Sequence, residues 1–137
     1  MNLTEIRVEV SLHLNDPSKL IWTETLLDAA IRAALQALGR ALGAAQTLEG
    51  LDDALETTLD EGQQAVLVTG AVAHALALRV SGRFEDARAG GDLPDRRADW
   101  AGIQMARFEK LLGQVRVQSH QTAETAPYDP WDWEEEG

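Results

Sequence analysis

The chain has 137 residues, 45% of them hydrophobic but only 5% aromatic, and a net charge of −11. That length supports one domain with a modest core of Leu, Ala, Val and Ile, which favours packed helices over a β-sandwich. The charge argues against general nucleic-acid binding, which needs clustered Lys and Arg. The absence of Cys excludes disulfides, thiol catalysis and Cys-ligated metal sites.

The first element, 3–14, carries two periodicities. Ile6, Val8, Val10, Leu12 and Leu14 alternate with polar residues, as in a strand. Leu3, Ile6, Val10 and Leu14 share one helix face, and Asn2 with Glu5 can form a capping box. A helix is expected. Asp16 and Pro17 then break the chain, because proline has no N–H to donate and disfavours helix before it.

Thr23 can cap a second helix running to Leu42, with Glu24 and Asp28 near its positive end. Leu27, Ile31, Leu35, Leu38 and Leu42 make its single apolar stripe. Gly39 and Gly43 suit its C-terminal end. A connection over 44–57 follows, with a short helical turn expected at 51–55.

Thr58 and Glu61 have the spacing of a capping box for a third helix, expected to reach about Val80. From Ala65 to Leu78 nearly every residue is apolar or small, which marks a central helix surrounded by its neighbours. The stretch 81–92, with Gly82, Gly90 and Gly91, reads as a loop. Pro94 and Asp95 suit the first turn of a fourth helix, whose stripe is Ala101, Met105, Phe108, Leu112 and Val115, ending near Val117.

From Ser119 the composition changes to two Pro, six acidic residues and no Lys or Arg. The chain therefore divides into a helical domain, 1–118, and an acidic tail, 119–137, that lacks the apolar content to fold alone. The fold expected is all-α, a small bundle of about four helices with an extended C-terminal tail.

Catalytic chemistry finds little support. His13, His74 and His120 lie in separate elements without metal-ligand spacing, and His74 suits a hydrogen-bonded core position. The pairs Asp52–Asp53 and Glu85–Asp86 lack convergent partners for acid–base work, and the glycines of 82–91 lack the Lys-Ser/Thr helix start of a phosphate loop. No enzyme, metal or cofactor is expected. No run of residues is long and apolar enough to suggest a membrane span, and the N-terminus lacks the pattern of a signal peptide.

Two features point instead to protein contacts. Arg79, Arg83, Arg88, Arg96 and Arg97 gather around the third loop, either as ordinary surface charge or as a basic patch receiving the acidic surface of a neighbouring subunit. In the tail, Tyr128, Trp131 and Trp133 lie among Asp132, Glu134, Glu135 and Glu136. This segment is either a solubilising tail or a docking peptide, its aromatic rings filling pockets while its acids meet Arg or Lys.

The segment LNDPSKLIWTETLLDAAIRAAL, the run LDEGQQAVLVTGAVAHALALR, and the amphipathic last helix followed by an extended tail resemble the head–tail connector (adaptor, head-completion) proteins of tailed bacteriophages. The resemblance implies a non-enzymatic virion protein of the phage neck, made in the host cytoplasm. It implies a ring of about twelve subunits between portal and tail. It also implies that the tail around 128–136 reaches the portal protein, with a tail-side protein as second partner. DNA would pass through the channel without sequence-specific binding, repelled by an acidic lumen. The alternative is a small helical regulator or chaperone-like adaptor that holds a basic partner through its acidic tail.

Overall fold

Helix α1 spans Leu3–His13 and is fixed at its start by the capping box foreseen from the sequence. The Asn2 side chain accepts from the Glu5 N–H at 3.0 Å, and the Glu5 carboxylate accepts from the Asn2 N–H at 3.1 Å. These paired bonds satisfy two donors that the helix itself cannot. Leu3, Ile6 and Val10 are buried, whereas Val8 and Leu12 are exposed, so the period is that of a helix. The computed structural model describes residues 1–16, 18–19, 21–90 and 95–122, with side chains outside 80–98 and 120–122.

Helix α2 spans Glu24–Leu42, with Thr23 as N-cap and Gly43 closing it in the left-handed conformation at φ +77°. Leu27, Ile31, Leu35 and Leu38 are buried and Leu42 is packed against the core, as the stripe required. Two ion pairs tie its solvent side down. Arg7 of α1 grips Asp28 with two 2.7 Å bonds, and Arg32 grips Asp52 at 2.9 and 2.8 Å.

The connection 44–60 is a clasp without helix. Thr47 N–H donates to Thr58 Oγ1, and Thr58 N–H returns to the Thr47 carbonyl. Glu49 N–H donates to Thr57 Oγ1, while its carbonyl accepts from Leu3 N–H at 2.8 Å. Leu48, Leu51 and Leu59 point into the core. The helical turn expected at 51–55 is replaced by a reversal, because Gly50, Asp52 and Asp53 all adopt positive φ. Asp tolerates that region better than most residues, and a right-handed helix excludes it.

Helix α3 runs Glu61–Gly90, about 45 Å at 1.5 Å per residue. Its cap differs from the one expected. Asp60, not Thr58, accepts from Gln63 N–H at 2.8 Å, and the Gln63 side chain accepts from Asp60 N–H at 3.1 Å. Thr58 is committed to the clasp. The C-terminal end also differs, since the backbone stays helical through 81–90, where a loop was expected. Helix α4 covers Asp95–Thr122, starting where predicted and running five residues past Val117.

The four helices form an all-α bundle, and no strand occurs among the described residues. Helix α3 is central, packing on α1, α2 and α4. Val66, Leu67, Val68, Ala71, Val72, Ala73, Ala75 and Leu76 are all buried along it. Its small residues let neighbours close in. At Gly70 the Phe108 ring of α4 lies where a side chain would be, so that an added Cβ would come within 2.8 Å of ring atom Cδ1.

Candidate functional site

The break between α1 and α2 is the most elaborately bonded part of the surface. Asn15 and Lys19 adopt positive φ, 56° and 55°, to turn the chain. The Asp16 carboxylate is buried, and one of its oxygens accepts from the backbone N–H groups of both Ile21 and Trp22 at 3.0 Å. This supplies acceptors where the backbone makes no helix bonds. Trp22 is itself buried, and its indole N–H donates 2.9 Å to the Ala75 carbonyl at the middle of α3. The segments 14–35 and 59–79 are therefore joined by a bond from Trp22 near the middle of the first to Ala75 towards the end of the second.

Around the break lies a short charge network. Arg7 pairs with Asp28 at 2.7 Å and with Glu24 at 3.6 Å, and Lys19 reaches Glu24 at 3.7 Å. The bonds to Asp28 raise the Arg7 pKa above its ordinary value, overcoming the opposing effect of burial. Arg32 likewise holds the Asp52 carboxyl below the usual range. Asp52 is thus occupied by an ion pair, and this accounts for one member of the Asp52–Asp53 pair.

His13 and His74 lie on different helices, and the His120 side chain lies outside the described residues. His13 Nδ1 lies 2.8 Å from the Glu9 carbonyl within α1. His74 is half-buried and meets Phe108 edge-on, ring centres 5.9 Å apart, with burial lowering its pKa. Among the described residues no group of three His, Asp or Glu could hold a metal ion. No helix is long and apolar enough to cross a membrane, among the residues described.

Of the expected basic patch, Arg79, Arg83 and Arg88 lie in the backbone of α3 and Arg96 and Arg97 in that of α4, on either side of 91–94. Among them Arg79 alone has a described side chain, and its Nε is buried without a hydrogen-bond partner among the described residues. The Arg83, Arg88, Arg96 and Arg97 side chains lie outside the described residues. So do Tyr128, Trp131, Asp132, Trp133, Glu134, Glu135 and Glu136.

Sequence reading overlooked the grooves. The largest, about 1090 Å³, lies between Leu42, the start of α3 at Asp60–Gln63, and the Leu111–Ser119 face of α4. A second, about 580 Å³, runs along α2 between Arg32, Gln36, Gly39 and Arg40 on one side and Ala44–Gln46 and Leu51–Asp52 on the other. Polar positions four apart on α2 looked like an ordinary solvent face, and only the path of the clasp makes them a groove wall.

The chain matches no protein-family model, no curated protein and no solved structure.

Proposed function

We propose that this chain is a head–tail connector subunit of a tailed bacteriophage, assembling into a ring of about twelve copies that joins portal to tail and extends the DNA channel. The observation that supports this most directly is the Trp22–Ala75 bond. It ties the break and the Trp-Thr start to the small-residue helix α3, the two stretches that carry the resemblance. The all-α bundle and the net charge of −11 agree with the reading. An acidic wall would repel DNA phosphates and let the genome slide past. The tail would meet the portal through Tyr128, Trp131 and Trp133, with Asp132 and Glu134–Glu136 facing its cations. Arg79, Arg83, Arg88, Arg96 and Arg97 would receive the acidic surface of the next subunit.

The test is affinity capture from a lysate of infected host cells, using the full chain and a form ending at Thr122, where α4 ends. Portal and tail proteins should come down with the full chain, and portal should be lost with the shortened one. Capture of one unrelated host protein without any virion component would overturn the connector reading in favour of a regulator.

A further inference from the structure

The Ser119 hydroxyl donates to the Leu42 carbonyl at 3.5 Å, so α4 finishes beside the C-terminal end of α2. The α2 groove begins there, at Gly43, and rises about three turns to Arg32. Beyond Thr122 the sequence continues for 15 residues with six acids, three large aromatics and no Lys or Arg. Eight residues lie between Thr122 and Trp131, so the nine steps reach about 30 Å when extended, roughly twice the length of the groove.

Charge decides between the grooves within that reach. The larger one carries Asp60 and Glu61 and no cation, so it repels an acidic segment. The third, beside Met1, sets Glu9 and Glu61 against the terminal ammonium and His13. A shallow fourth on α4 offers Lys110 but, of apolar side chains, only Val117. In the α2 groove Arg32 is paired with Asp52, which leaves Arg40 as the uncompensated cation. Arg40 is exposed in the last turn of α2. Its apolar lining is Leu35 on one side and Leu51, Ala44 and Ala45 on the other, and Gly39 lets the Ala44 carbonyl approach closely, 3.2 Å from where a Cβ would stand.

We propose that residues 123–137 fold back onto their own subunit and occupy the α2 groove, Trp131 and Trp133 covering its apolar lining and the flanking acids meeting Arg40. The contact is a self-latch. A partner that takes the tail must first displace it, so docking and latching compete for the same aromatic side chains. This stands apart from the connector reading, because it concerns the isolated chain.

The experiment uses the full chain, whose lack of native Cys allows one nitroxide at Gln36→Cys in the groove. The indole N–H signals of Trp131 and Trp133 should lose most of their intensity. A nitroxide at Gln114→Cys, in the larger groove, should leave them largely intact. Arg40→Glu should restore the lost signals, and so should Glu134→Lys with Glu135→Lys and Glu136→Lys. Salt at 1 M, where the screening length falls to about 3 Å, should act in the same direction. Undiminished indole signals with the Gln36 label, or a stronger effect from Gln114, would overturn the proposal. So would the same loss between isotope-labelled and nitroxide-bearing chains mixed together, which would assign the groove to a second copy.

Discussion

Glycines that look alike in the sequence do opposite things in the bundle. Gly70 is the hollow that receives Phe108, and a methyl group there would force the ring or the helix to move. Gly70→Ala should therefore destabilise by roughly 1–3 kcal/mol, even though Ala is the better helix former. Gly102 and Gly113 lie within α4 with nothing within 4 Å of an added Cβ. Ala at either position should stabilise by about 0.5–1 kcal/mol through reduced chain entropy alone. Urea unfolding of the three variants checks both signs, and equal shifts for Gly70→Ala and Gly113→Ala would contradict the packing. His74 shows a second residue-scale effect, since burial against Phe108 lowers its pKa from the ordinary 6.5. The unfolded chain then takes the proton first as pH falls. The contribution of His74 to stability is present above its unfolded pKa and is lost between that value and the lower folded one. Comparison of wild type with His74→Gln from pH 7.5 to pH 5 isolates this from the other titrating groups. The wild type should lose more stability on acidification than the variant.

Helix ends show where local sequence decided the structure and where it was overruled. The α1 alternation of Val8, Val10 and Leu12 suits a strand, but Asn2 and Glu5 start a helix and Leu3, Ile6 and Val10 fill the core. Both cues were legible in the sequence. At α3, two overlapping caps were available, Thr58 with Glu61 and Asp60 with Gln63. The choice rested on a contact eleven residues away, because Thr58 is taken by Thr47. No local pattern carries that information. The extension of α3 through 81–90 has a simpler cause: one interior Gly costs about 1 kcal/mol, too little to end a helix otherwise rich in Arg, Glu and Ala. The α2 groove was illegible for the same reason as the cap, since it depends on the clasp folding back. Asp60→Ala should cost about 1 kcal/mol through loss of the α3 cap. Glu61→Ala, at the position expected to complete the other box, should change stability little. Thermal unfolding of both separates the two caps, and a larger loss for Glu61→Ala would reverse the assignment.

For the molecule as a whole, the decisive division is between the bundle and the acidic segment after it. The buried stripe of α4 ends at Val115, and the last side-chain bond described on that helix is Ser119 to Leu42. Among the described residues the hydrophobic core ends at Val115. Removing 123–137 also removes six of the 23 acidic residues and no Lys or Arg, which lessens self-repulsion in the folded chain. A chain ending at Thr122 should keep its helical circular dichroism, with a urea midpoint at low salt set by two opposing losses, that of the self-repulsion and that of the latch contacts on the α2 groove. Both effects should shrink at 1 M salt, where the screening length falls to about 3 Å. A cut four residues earlier, after Gln118, removes the Ser119 bond and the last turn of α4, and should leave the end of α2 more easily frayed. Loss of helical signal on cutting after Thr122 would mean that the tail belongs to the core. Retention of fold with loss of partner capture would confine the docking role to the tail, and Trp131→Ala with Trp133→Ala should then reproduce that loss in the full-length chain.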